Sequence, residues 1–157
     1  MKEIEKITGK SFLPIIEPHK GQVLVEVVRE IKPKRVLEVG TLIGYSATLM
    51  GKELGKDTEI ITIEIIVNDA RKAEENIKRG KIFPTMKVIF GNALEVITGL
   101  ESVFDLVFID AEKSECVDYL RLVEDKLHRE RVIVADNAGI FVDEMRNYLD
   151  YVRFSGK

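Results

Sequence analysis

The sequence predicts a single α/β domain in which helices cover both faces of a doubly wound, mostly parallel β-sheet. Short apolar segments alternate with longer amphipathic ones along most of the 157 residues. This alternation is typical of parallel sheets, because parallel strands need a helical crossover between them. The predicted strands are residues 36–39, 60–65, 86–90, 104–110 and 131–136, and the predicted helices are residues 19–31, 45–54, 68–80, 114–128 and 143–152.

Each element has a local signal of its own. Gly9, Pro14 and Pro18 predict an irregular segment over residues 1–18, after which a helix with one apolar face runs to Pro33. The first strand is apolar on both faces, as central parallel strands are. Asn68 is the expected N-cap of the third helix and Gly80 its expected end. The remaining strands are apolar runs, four of the five ending at or beside an acid.

Composition sets limits on the function. Hydrophobic residues make up 45% of the chain and charged residues 32%, with a net charge of −3, which makes nucleic acid an improbable partner. We find no apolar run of the roughly 20 residues that a membrane span needs. The only cysteine, Cys116, excludes an internal disulfide and fits a cytoplasmic location.

A glycine turn follows the first strand. Gly40 and Gly44 enclose a turn where the backbone can approach a ligand closely, and a helix begins at Tyr45. A dinucleotide site would need further glycines two and five positions after Gly40, but Leu42 and Tyr45 stand there. The turn therefore argues against a nicotinamide or flavin cofactor. An ordinary strand–turn–helix without a ligand remains the alternative.

The carboxyl ends of the other strands carry polar residues on the same edge of the sheet, where ligands bind in doubly wound folds. Glu64 follows Gly44 by 20 residues, near the spacing at which an acid reaches ribose hydroxyls. Asp110, Asp136 and Asn137 offer the hard oxygen ligands that suit Mg²⁺. They are equally compatible with turns or helix caps. Lys113 is a candidate general base or an ordinary surface lysine.

These stretches together resemble a known family. Glu38, Gly40 and Gly44 resemble the first motif of class I S-adenosylmethionine-dependent methyltransferases. With His19-Lys20-Gly21-Gln22, residues 61–65, residues 105–113 and residues 135–137, the chain resembles the cation-dependent O-methyltransferases, catechol and caffeoyl-CoA O-methyltransferases above all. The resemblance implies a Rossmann-like fold. It implies metal ligands at Asp110, Asp136 and Asn137, a catalytic lysine at Lys113, and cofactor contacts at Glu38, Gly40, Gly44, Ser46, Glu64, Ala93, Leu94 and Asp110.

The implied reaction is methyl transfer from S-adenosylmethionine to a small acceptor with adjacent hydroxyls, with Mg²⁺ or another divalent cation holding the acceptor. A methyltransferase for RNA or protein with the same cofactor site is one alternative. A cofactor-binding subunit that needs a partner chain for catalysis is another.

The chain also departs from the family pattern. Ala111 and Glu112 stand where relatives carry aromatic or histidine side chains that cover the adenine or the substrate. The two further strands of the family sheet, an antiparallel hairpin, would begin where this sequence ends, at residues 154–157. We therefore expect a sheet without that hairpin, whether the chain is truncated or naturally short. An uncovered fifth strand would favour a homodimer.

Overall fold

The structure is a computed structural model that describes residues 16–155. Its elements run in the order α1 (Pro18–Ile31), β1 (Arg35–Val39), α2 (Tyr45–Glu53), β2 (Glu59–Glu64), α3 (Val67–Gly80), β3 (Thr85–Phe90), α4 (Ala93–Gly99), β4 (Phe104–Ile109), a 3₁₀ turn (Lys113–Glu115), α5 (Cys116–Glu124), β5 (Leu127–Ala135) and α6 (Arg146–Phe154). The alternation predicted from the sequence is confirmed.

The five strands form one sheet in the order β3-β2-β1-β4-β5, and every neighbouring pair is parallel. The chain builds outward from β1 through β2 to β3, then returns to the other side of β1 with β4 and β5. Its direction therefore reverses between β1 and β4, and the cleft at the carboxyl ends of these two strands is where doubly wound folds bind ligands. In the described part of the chain β5 is an edge strand, and the homodimer expected from that edge stays a prediction.

Two apolar layers cover the sheet because successive strand residues point to opposite faces. One layer joins Leu37, Ile61 and Val107 to α4, α5 and α6. The other joins Val36, Ile60 and Phe108 to α1 and α2. Both layers bury residues of β1, β2 and β4, so the central strands are covered on both sides and hold the ligand edge rigidly.

Several boundaries differ from the sequence prediction. Pro18 is the first residue of α1 rather than a helix breaker, since proline fits the first helical turn, where its missing N–H is not needed. The rest of the predicted irregular segment, residues 1–15, lies outside the described residues. Asn68 lies inside α3, whose N-cap is Ile66, and Gly80 is the last helical residue before Lys81 in the left-handed conformation.

Two larger errors concern α4 and β5. No helix was predicted between the strands at 86–90 and 104–110, but α4 begins at Ala93 and is capped by Asn92, whose side-chain oxygen accepts from the Leu94 N–H at 2.9 Å. The predicted helix at 114–128 ends at Glu124, and β5 begins at Leu127. The β4–β5 register steps from Phe104–Leu127 to Leu106–Val132. The charged residues 128–131 therefore lie in an irregular part of a strand. The last helix begins at Arg146 rather than at Asp143.

Gly40 fixes the approach of β1 to β4. Its φ of 95° lies in the left-handed region, and a Cβ added to it would lie 2.2 Å from the carbonyl oxygen of Asp110. Asp110 in turn donates its N–H to the Val39 carbonyl at 2.9 Å. No side chain fits between these two strand ends, so glycine is required where they meet.

Replacing Gly40 with alanine is expected to lower the free energy of unfolding by more than about 3 kcal/mol, because left-handed strain adds to a clash with rigid backbone. Urea unfolding measures the change. Gly99→Ala is the matched control, since a Cβ there meets nothing within 4 Å. Its unfolding free energy should stay within about 1 kcal/mol of the parent. Equal stability of the two variants would contradict this account of the close approach.

Candidate cofactor and metal site

A cavity of about 650 Å³ opens at the carboxyl ends of the strands, beside the point where β1 and β4 part. Seven of the predicted site residues line it: Gly40, Ser46, Glu64, Ala93, Asp110, Lys113 and Asn137. Four do not. Glu38, Gly44 and Asp136 are buried and Leu94 is partly buried, and none of the four is among the lining residues. The sheet thus gathers most of the predicted residues at one edge.

Glu38 directly precedes Val39 and Gly40, which line the cavity. It is fully buried on β1, and its Oε2 accepts from the Thr62 hydroxyl at 2.5 Å. Its Oε1 has no hydrogen-bond partner among residues 16–155. Burial raises the pKa of Glu38 to about 7, although hydrogen bonding by Ser46 and Thr62 acts in the opposite direction, and the charges of Asp110 and Glu64 raise it further. A buried carboxylate oxygen without a partner is suited to an incoming cationic group.

Glu64 ends β2 and holds the glycine turn. Its two carboxylate oxygens accept from the backbone N–H of Leu42 at 2.7 Å and of Ile66 at 2.9 Å. Leu42 has a φ of 49°, which is uncommon for a leucine, and this hydrogen bond helps to hold it there. Each carboxylate oxygen accepts more than one hydrogen bond. Glu64 therefore keeps lone pairs for a ligand in the cavity that it lines.

At one end of the cavity, ammonium groups meet the oxygens that were predicted to bind a metal. Lys113 Nζ lies 2.8 Å from Asp110 Oδ1. Lys20 Nζ lies 3.3 Å from Asp136 Oδ1 and donates a hydrogen bond to Asn137 Oδ1. Asp136 Oδ1 also accepts from the Asn137 N–H at 2.8 Å. Ile109 on β4 is paired with Ala135 on β5, and Asp110 and Asp136 are the residues that follow them.

The three predicted metal ligands suit a hard cation. Two carboxylates and an amide oxygen are typical Mg²⁺ ligands, with water or substrate oxygens completing the shell. The ammonium groups of the two lysines contact all three residues and provide the positive charge that a bound cation would otherwise provide. Within residues 16–155 no group of three or more His, Cys, Asp or Glu side chains forms a metal site. Besides Asp110 and Asp136, an ion here would need the Asn137 amide oxygen and non-protein ligands.

Sequence reasoning missed the aromatic lining of the cavity. Tyr45, Tyr119 and Phe141 all face it. Tyr119 lies on α5 and donates a hydrogen bond to Glu115, and burial raises its pKa. Ala111 and Glu112, where the family resemblance led us to expect ring side chains, also line the cavity. Tyr119 and Phe141 are therefore candidates to provide aromatic contacts that those two positions lack. The helical period of Tyr119 indicated only a buried face, which does not distinguish core from cavity.

Comparison with known proteins identifies the family. A family model described as O-methyltransferase matches residues 1–150. The chain belongs to this O-methyltransferase family. It is 33% identical over 123 residues to a catechol O-methyltransferase of Mycobacterium tuberculosis, an alignment that covers 78% of the chain and 56% of that protein. The chain spans about half the length of several curated relatives that it matches. The family resemblance drawn from the motifs is confirmed.

Solved structures show the same fold. The S-adenosylhomocysteine-bound methyltransferase PaMTH1 of Podospora anserina is 28% identical and superposes with a TM-score of 0.76, covering 87% of this chain and 62% of that one. The O-methyltransferase of Bacillus cereus superposes with a TM-score of 0.87 at 24% identity, covering 97% of this chain and 77% of that one. At this level of identity, the likeness to the Bacillus cereus protein shows the fold alone. The predicted Rossmann-like methyltransferase fold is confirmed.

Among residues 16–155, no helix is both long enough and apolar enough to cross a lipid bilayer.

The buried state of Glu38 predicts a specific pH dependence of stability. Its pKa rises from an ordinary 4.5 to about 7 on folding. Protonated Glu38 therefore makes its full contribution to stability below pH 4.5. This contribution is lost as the pH rises from 4.5 to 7, and Glu38 changes the stability no further above pH 7. At about 1.4 kcal/mol per pH unit the total loss is on the order of 3 kcal/mol.

Urea unfolding of the ligand-free protein from pH 4.5 to 8 measures this effect, with Glu38→Gln as the neutral control. The stability difference between parent and variant should shift against the parent as the pH rises to 7. Curves that stay parallel across this range would show that Glu38 is not the titrating group.

Proposed function

We propose that this chain is the core of an S-adenosylmethionine-dependent O-methyltransferase that acts on a small hydroxylated acceptor, with a divalent cation at Asp110, Asp136 and Asn137. One observation carries the proposal. An unpaired buried carboxylate oxygen and a cluster of hard oxygens lie at the ends of adjacent strands, next to one cavity. The first suits the ammonium group of a methionine moiety, and the second suits a cation and the hydroxyls it would hold. The catechol O-methyltransferase among the relatives and the S-adenosylhomocysteine bound in the Podospora structure agree with it.

Cofactor binding would use the turn after β1 and the end of β2. Glu38 near the end of β1 and Ser46 on α2, whose side chain hydrogen-bonds to it, would receive the methionine end. Glu64 is placed to accept hydrogen bonds from two ribose hydroxyls through the lone pairs that the backbone leaves free. Ala93 begins α4 and lines the cavity with a small side chain, where a flat ring system can approach. Bound S-adenosylmethionine supplies an activated methyl group on its sulfonium.

Acceptor binding would use the other end of the cavity. Asp110, Asp136 and Asn137 would hold the cation, and its positive charge would lower the pKa of an acceptor hydroxyl. Lys113, with a side chain only 14% exposed, stands beside Asp110 and is placed to take the hydroxyl proton. It can do so only as a neutral amine, so its ion pair with Asp110 must first open. Aromatic rings of Tyr119 and Phe141 would pack against an apolar acceptor.

The first test concerns the cofactor. S-adenosylmethionine and S-adenosylhomocysteine should bind in calorimetry, and NAD should not. Glu64→Gln should weaken binding by roughly 10- to 100-fold, since a charge-assisted hydrogen bond contributes about 1.5–3 kcal/mol. Glu59→Gln changes the same residue type at the opposite end of β2 and should leave the affinity unchanged. Binding of NAD, or equal affinities in the two variants, would refute the cofactor assignment.

The second test concerns the cation. Activity on a catechol should be lost in excess chelator and should return as Mg²⁺ is added back. Asp136→Asn should weaken Mg²⁺ binding steeply and abolish turnover, because it removes one of the two protein charges that would hold the ion. Cofactor affinity should stay intact. Asp118→Asn, which removes an exposed carboxylate on α5, is the control and should match the parent.

Lys113→Met completes this test. Metal and cofactor binding should persist, and turnover should fall by roughly 10²- to 10⁴-fold, as is typical when a general base is removed. Full methyl transfer in excess chelator would exclude the cation from the mechanism. An unaltered rate in Lys113→Met would exclude the lysine.

A further inference from the structure

Lys20 lies on α1, far in sequence from the residues it contacts. Its Nζ meets both Asp136 and Asn137 at the end of β5, and its side chain is 25% exposed. In the sequence, Lys20 belongs to the His19-Lys20-Gly21-Gln22 stretch of the family resemblance, which implies no role for it. Its ammonium contacts two of the three residues proposed to hold the divalent cation.

The position of Lys20 is not explained by the stability of α1. It is the third residue of that helix, whose first turn has no acidic residue. A cation near a helix N-terminus is electrostatically unfavourable. The next residue, Gly21, is buried against α2, and a Cβ there would lie 3.0 Å from the Leu49 side chain. Close packing at Gly21 therefore holds this turn of α1 in place and directs Lys20 to Asp136 and Asn137.

The charges around the cluster balance. Asp110 and Asp136 carry two negative charges, and Lys113 and Lys20 supply two positive ones through the contacts described above. A divalent ion brings the same charge as the two ammonium groups together. Exchange of lysine contacts for the ion leaves the charge on the ligand oxygens unchanged if both ammonium groups withdraw from those oxygens. The flexible four-carbon stem of lysine permits such a movement.

We propose that Lys20 is a tethered cation that competes with the divalent ion for Asp136 and Asn137, and so sets the affinity of the site for metal. This inference rests on the proposed function, because it concerns the same oxygens. Lys20 is here a positioning residue: it holds the two ligands while no ion is bound and leaves them when one arrives. A purely structural tie between α1 and β5 would have the opposite effect, since removing it would loosen the ligands and weaken metal binding.

The experiment measures divalent-ion binding by the full chain, with Mg²⁺ in calorimetry and Mn²⁺ in electron paramagnetic resonance. Lys20→Met removes the competing charge and should bind both ions at least about tenfold more tightly than the parent, because a charge-assisted hydrogen bond no longer has to be broken. Lys20→Arg keeps a positive charge and donors and should stay within about threefold of the parent. Lys72→Met removes a lysine–aspartate pair of 3.0 Å on the exposed face of α3 and should behave as the parent.

The outcomes separate this inference from the proposed function. Equal or weaker binding by Lys20→Met, with metal bound by the parent, overturns the competition alone. Binding by neither protein overturns both the competition and the proposed cation site. Binding by Lys20→Met but not by the parent supports the competition and means that lysine occupies the site in the natural protein. Thermal unfolding checks that the variants are folded. Lys20→Gln, which keeps a polar side chain, replaces Lys20→Met if the latter does not unfold cooperatively.

Discussion

The contact between the ends of β1 and β4 determines the geometry of the whole site. Gly40 lies against the backbone of Asp110, while its N–H bonds to Ile63 on β2 and the Asp110 N–H bonds to Val39 on β1. Three strands therefore end at one place with no side chain between them. Glu38, Glu64 and Asp110 each belong to this junction, so the distances among the proposed ligand groups follow from backbone packing more than from side-chain choice.

The acids at this edge are stabilised in two different ways. Glu38 is buried without a cationic partner, and burial raises its pKa to about 7. Asp110 and Asp136 each contact a lysine ammonium. Glu38 can therefore pair with a cationic group of a ligand, while the charges of Asp110 and Asp136 are already balanced by lysines. Two chemically different groups can then bind next to each other without leaving an unbalanced charge.

Much of this arrangement was predictable from local signals. The strands were predictable because both faces of β1, β2 and β4 are apolar. The location of their acidic ends on one edge of the sheet followed from the topology of parallel sheets. Residues whose role depends on distant contacts were not visible. Lys20 looks like any helical lysine until α1 packs on α2, and Tyr119 looks like a core residue. The start of β5 was mistaken for helix because the charged residues 128–131 lack strand periodicity, and the register irregularity opposite Phe104 accommodates them.

Glu64 serves the fold and the proposed ligand with the same two oxygens. It restrains the unusual backbone of Leu42 and the turn at Ile66 while facing the cavity. Aspartate would be one methylene shorter, and glutamine would offer a donor where an acceptor is needed. Replacement of Glu64 would therefore disturb the loop geometry as well as the recognition of the proposed ligand. Such a position should tolerate fewer substitutions than a residue with either duty alone.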